Sequence, residues 1–145
     1  TGIPLTHRDH AAMLVFATGH LQGEEGERTV ALDWAALARP RQTVVIYMGV
    51  GTLPTICTQL IAHGLPASTP AAMIERATLP GQRSIVGTLQ TLPQLSVAYG
   101  VNPPALVMIG DTVALHARIG SSAEVLTGFP AVVDAASPQA LACTA

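Results

Sequence analysis

The stretch Thr43-Val44-Val45-Ile46-Tyr47-Met48-Gly49-Val50-Gly51-Thr52-Leu53-Pro54 decides the fold. Its first half is a β-branched run ending in glycine. Its second half is a Gly-x-Gly turn, then a threonine at a helix N-cap and a proline in the first helical turn. Beyond Pro54, Ile56, Leu60 and Ile61 recur at helical spacing until Gly64 closes the helix. A strand that passes through a glycine turn into a helix is a building unit of layered α/β domains.

Working outward, four more β-branched or apolar runs bounded by Gly and Pro fit the same architecture. Strands are predicted at Ala12–Thr18, Thr43–Gly49, Ala71–Ala77, Arg83–Gly87 and Ala105–Gly110. A second helix opens at Thr91-Leu92-Pro93 and closes at Gly100, and a short third one starts near Asp33. Between the third and fourth strands lies only Thr78-Leu79-Pro80-Gly81-Gln82. A parallel crossover needs a dozen or more residues, so this Pro-Gly link predicts a hairpin. The fold class expected is therefore α/β, a mixed five-stranded sheet flanked by helices.

Residues 22–30 combine acids and glycines as a solvated loop does. Residues 1–120 are read as one domain. Residues 121–145 form an Ala/Ser/Pro-rich tail, expected to be partly disordered.

The chain has 145 residues, enough for one core, and 49% of them are hydrophobic against 11% charged. Such a chain is neither disordered nor a polyelectrolyte. Its seven basic residues are all Arg and never form a run, and the formal net charge is −2, which argues against a nucleic-acid surface. The longest apolar runs are about half of the roughly 20 residues a membrane helix needs, so no membrane association is expected. The cysteines, Cys57 and Cys143, are read as separate reduced thiols of a cytoplasmic protein.

Three clusters are candidates for chemistry. Thr6-His7-Arg8-Asp9-His10 presents donors suited to a carboxylated ligand. His7 and His10, with His20, have a metal-like spacing, but no Cys or carboxylate completes a ligand set, and no metal is expected. Tyr47–Thr52 is either a binding loop or a plain strand-to-helix turn. It fails the dinucleotide fingerprint, since Pro54 stands where a third glycine belongs, and Met48 by default fills core volume. Asp111 follows a strand end and equally well caps the next helix. No Ser or Cys sits in a nucleophile elbow, which removes hydrolase readings.

Several blocks occur together in one order: Gly2-Ile3-Pro4-Leu5-Thr6-His7-Arg8-Asp9, Ala17-Thr18-Gly19-His20, Leu32-Asp33-Trp34, Thr43 to Gly49, and Pro104-Ala105-Leu106-Val107-Met108-Ile109-Gly110. From residue 2 to about 118 the chain resembles the C-terminal half of the uroporphyrinogen-III C-methyltransferases of the tetrapyrrole methylase family. The resemblance implies the second domain of an enzyme that moves methyl groups from S-adenosyl-L-methionine to uroporphyrinogen III, giving precorrin-2 on the way to siroheme and cobalamin. It implies adenosine contacts at Met48 and at Ala77, within Glu75-Arg76-Ala77-Thr78. It implies a tetrapyrrole side formed by His7, Arg8 and His20, whose donors suit a substrate bearing many carboxylates. The family's N-terminal domain is not in this chain, so an isolated chain is expected to be inactive, and a homodimer is implied.

A second class of reading stays open beside it, a catalytically silent α/β binding or dimerisation module. A metal-handling tetrapyrrole protein using His7, His10 and His20 is a third.

Overall fold

The computed structural model describes residues 1–20, 30–119 and 124–128. Along the chain come β1 (Met13–Thr18), α1 (Trp34–Leu37), β2 (Gln42–Tyr47), α2 (Leu53–Ala62), β3 (Pro70–Glu75), β4 (Arg83–Thr88), α3 (Leu92–Ala98) and β5 (Ala105–Ile109). A 3-10 turn over Asp111–Leu115, α4 (His116–Ile119) and β6 (Glu124–Thr127) follow. The strands make a single six-stranded sheet in the order β1-β2-β5-β3-β4-β6.

All five predicted strands are present, within a residue or two at their ends. The count of five is corrected to six. β6 comes from the segment after residue 120, where no strand was expected, and pairs parallel to β4 from Arg83↔Glu124 to Val86↔Thr127. Four residues, Glu-Val-Leu-Thr, carry too little alternation to signal a strand without a partner. Residues 129–145 of the expected tail, Cys143 among them, lie outside the described residues, as does most of the 22–30 loop.

The sheet is mixed, as the short third connection required. β3 and β4 form the antiparallel hairpin, Pro70↔Thr88 to Glu75↔Arg83, and the Gln82 side chain closes its loop by accepting from the Thr78 amide at 2.7 Å. β1 and β2 run parallel, and β5 is antiparallel to both of its neighbours, β2 and β3. Burial follows the order: β2 is buried from Gln42 through Ile46, whereas edge strand β1 is half exposed.

The helices begin and end where local chemistry sets them. Asp33 caps α1, its carboxylate accepting from the Ala36 amide at 2.9 Å. Pro54 and Pro93 occupy first-turn positions of α2 and α3, and each of these helices stops just before a glycine in left-handed backbone, Gly64 at φ +112 and Gly100 at φ +58. Asp111 is not a cap: Gly110 takes the N-cap position of the 3-10 turn.

One face of the sheet holds the larger core. Val44, Ile46, Met73, Ile85, Val107 and Ile109 pack there against Leu53, Ile56 and Leu60 of α2 and Leu92 and Leu95 of α3. On the other face Val45, Ala72, Ile74 and Met108 are covered by Ile3 from the N-terminal segment and Val113 from the 3-10 turn. Among the described residues no helix is long and apolar enough to cross a membrane.

Candidate functional site

Strand directions bring several chain segments to one rim of the sheet. The C-terminal ends of β1, β2 and β3 meet there with the start of β5, in the register Thr18↔Tyr47, Tyr47↔Leu106, Ile74↔Leu106 and Glu75↔Ala105. Because β5 runs between β2 and β3, its leading residues Pro103-Pro104-Ala105 stand between the turn after β2 and the turn after β3.

The turn after β2 is built for exposure. Met48 adopts φ +54, an uncommon left-handed conformation for a side chain of its size, and is 60% exposed. The reading of Met48 as a core gap-filler is thereby corrected. A strand end that reverses sharply turns its side chain out of the core, which a 12-residue pattern does not reveal. Gly49 is buried directly afterwards. The chain leaving β1 presses against this turn: a Cβ on Gly19 would lie 2.9 Å from Ile46 Cγ2 and 3.0 Å from Gly49 Cα. Only glycine permits that approach. Thr52 then donates its hydroxyl to the Gly19 carbonyl at 2.7 Å instead of capping α2.

Two adjoining cavities open along this rim. One, of about 400 Å³, is lined by His20, Tyr47, Met48, Val50, Gly51 and the prolines 103–104. The other, of about 330 Å³, is lined by Ile74, Arg76, Ala77, Leu79 and Leu106 among others. Tyr47, Pro104 and Ala105 belong to both, so together they form one cleft. Among the described residues the walls are mostly apolar, with His20 and Arg76 as the ionisable groups besides Tyr47 and no carboxylate or thiol. Phe16 stacks on Tyr47 with ring centroids 6.1 Å apart, extending the apolar surface over β1.

Met48, Ala77 and His20 are therefore gathered at one cleft. His7 and Arg8 are not. They precede β1, where His7 bridges to Ala11 and the Arg8 carbonyl accepts from Arg41 at 3.0 Å. That is the opposite rim, separated from His20 by the six residues of β1, about 20 Å at strand rise. His7 and His10 lie with ring centroids 5.0 Å apart, and among the described residues no three His, Cys, Asp or Glu side chains gather as metal ligands would.

Tyr47 belongs to the Tyr47–Thr52 cluster singled out in the sequence, whereas Arg76 and the prolines 103–104 were not assigned to a site. Sequence reasoning also passed over the pair beneath them, Glu75 and Arg83. Burial raises the Glu75 carboxyl, but hydrogen bonds from Arg83 and the Asn102 amide and the charges of Arg83 and Arg76 outweigh it, leaving the group below its ordinary value. The predicted strand ends would set Ala77 opposite Arg83; only the observed register, Glu75↔Arg83, brings the two charges face to face.

The family model of the Tetrapyrrole (Corrin/Porphyrin) Methylases matches residues 1–93. A siroheme synthase of Nitrosomonas europaea is 52% identical over 118 residues, covering 81% of this chain and 24% of that protein. The crystal structure of a uroporphyrin III C-methyl transferase from Thermus thermophilus superposes with a TM-score of 0.65 at 32% identity, over 79% of this chain and 47% of that one. A Thermus thermophilus structure of such an enzyme complexed with S-adenyl homocysteine superposes with a TM-score of 0.64 at 33% identity, over 77% and 46%. The chain thus spans about a quarter of the length of the curated relatives it matches and about half that of the solved ones.

Proposed function

This chain belongs to the tetrapyrrole (corrin/porphyrin) methylase family, and from that premise we propose that it supplies one wall of the cofactor cleft of a methyltransferase that uses S-adenosyl-L-methionine to methylate uroporphyrinogen III. The observation that carries the reading is that Met48, in the turn after β2, and Ala77, in the turn after β3, line adjoining cavities that share Tyr47, Pro104 and Ala105.

The cleft suits the cofactor's nucleoside. Tyr47, Ile74, Leu79 and Leu106 offer apolar area for a purine, and Gly51, where an added Cβ would meet nothing within 4 Å, leaves room beside the Met48 turn. In this reading the Met48 and Ala77 segments hold the adenosine, and His20 faces the tetrapyrrole as a donor to its carboxylates. His7 and Arg8 are proposed as further carboxylate donors, acting from the other rim. S-adenosyl-L-methionine supplies an activated sulfonium methyl. What remains for this chain is to hold donor and acceptor in line and keep water away, which fits walls that hold no acid–base pair among the described residues. A homodimer and a cytoplasmic setting are further proposals that rest on family resemblance.

Binding energy is shared between two walls in this reading, so the chain by itself transfers no methyl groups and holds the cofactor weakly. Calorimetry with S-adenosyl-L-homocysteine is expected to give a dissociation constant well above micromolar. Micromolar or tighter binding overturns the shared cleft. The silent-module alternative predicts no binding at all, and an amide spectrum in which millimolar probe leaves Met48 and Ala77 unmoved would favour it.

A further inference from the structure

Beneath the cleft lies a charged pair that none of these roles uses, its carboxylate buried and its guanidinium half-buried. Glu75 ends β3 at 7% exposure and faces Arg83 across the hairpin. The Arg83 Nε donates to Glu75 Oε2 at 2.7 Å, and a second guanidinium nitrogen reaches the same oxygen. Each partner then extends to the segment between α3 and β5. Glu75 Oε1 accepts from the Asn102 amide at 3.1 Å, and Arg83 Nη1 donates to the Tyr99 carbonyl at 3.3 Å. One residue along, the Arg76 amide donates to the Pro104 carbonyl at 2.9 Å.

The segment needs such anchoring from outside. Pro103 and Pro104 carry no N–H, so they add no main-chain donor of their own where they form the cleft wall. A buried ion pair is also a weak means of gaining stability, since desolvation offsets much of the attraction, whereas its directional hydrogen bonds fix geometry. Here those bonds lead to the one loop that both cavities share.

We propose that Glu75 and Arg83 are positioning residues for the cleft: together they set where the Asn102–Pro104 wall stands opposite Met48 and Ala77, and so how tightly the nucleoside is held. The inference rests on the cofactor reading above.

The test uses this chain with S-adenosyl-L-homocysteine as probe, read by amide-resolved spectra, hydrogen exchange and thermal melting. In Glu75→Ala, which leaves the Asn102 amide and the Arg83 guanidinium without the carboxylate, and to a lesser degree in Glu75→Gln, which keeps one acceptor oxygen but not the charge, the Asn102 amide should exchange faster and the probe's dissociation constant should rise, about tenfold in Glu75→Ala, the cost of losing a hydrogen bond to a charge. The amides of Val45 and Ile46, in β2, should stay protected. The paired replacement Glu75→Met with Arg83→Leu separates positioning from stability. An apolar pair of similar volume often restores stability, but it offers nothing to Asn102 or Tyr99. A double variant that melts like the parent and still binds about tenfold more weakly supports the proposal. Parental affinity in that variant, or in Glu75→Ala, overturns it. If the unmodified chain shows no shift at Met48 or Ala77 under millimolar probe, the cofactor reading fails first, and this inference falls with it.

Discussion

The hydroxyl of Thr52 donates to the carbonyl of Gly19 at 2.7 Å, fastening the start of α2 to the chain that leaves β1. Both residues are buried, and the bond joins the His20 side of the cleft to the Met48 side. Thr52→Val keeps the shape and removes the donor, leaving a buried carbonyl unpaired. A loss of about 1–3 kcal/mol is expected, with Thr52→Ser recovering most of it. Chemical denaturation of the three proteins measures this, and a neutral Thr52→Val would mean that water takes the place of the hydroxyl.

Gly19→Ala should be costly for a different reason. One of the atoms its Cβ would meet is the Gly49 Cα at 3.0 Å, which is backbone and cannot swing aside. Forcing the two turns apart is expected to cost about 1–3 kcal/mol, the usual range for overpacking. A melting temperature unchanged from the parent would show that the rim has slack.

Met48 separates a role in binding from a role in stability. At 60% exposure, Met48→Ala should change stability by no more than about 0.5 kcal/mol, not by the several kcal/mol of a core truncation. In the complete enzyme the same change should weaken cofactor binding, whereas Met48→Leu should leave both nearly intact. Steady-state kinetics alongside melting decides it: activity that follows only the folded fraction would remove Met48 from the site.

The Glu75 carboxyl lies below its ordinary value, so its unfolded-state value is the higher of the two. Its contribution to stability is complete above that unfolded value and is lost as pH falls through the folded one. Relative to Glu75→Gln, the parent should hold a stability advantage near neutrality that shrinks on acidification. Melting temperatures from about pH 7 to pH 3 test this, that span bracketing an unperturbed carboxyl. An advantage that persists at the acid end would assign the stabilisation to shape and not to charge.

Cys57 is buried in α2, and desolvation pushes its thiol up to about 12. The thiolate is the reactive form, so alkylation of the native protein near neutral pH should be slow at Cys57 and become fast on unfolding. Mass analysis of labelled peptides reads each cysteine separately. Rapid native labelling at Cys57 would show that α2 opens readily from the sheet.

Local rules account for what was legible along the chain. Asp33 caps α1 because its carboxylate needs only the amide three residues on. The β3–β4 hairpin follows from a link too short for anything else. Gly64 and Gly100 end helices because left-handed backbone favours a residue without a Cβ. Each depends on atoms within a few residues, and the sequence carries them all. The tetrapyrrole methylase likeness was legible too, since its blocks are contiguous.

Tertiary structure decided the rest, because strand order is a property of the whole sheet. Only the insertion of β5 between β2 and β3 sets Pro104 beside both Met48 and Ala77, and no spacing along the chain announces it. β6 exists as a strand where β4 offers it an edge. A residue's neighbours in sequence set its backbone; which rim of the sheet it faced waited on partners that only the folded chain brought into contact.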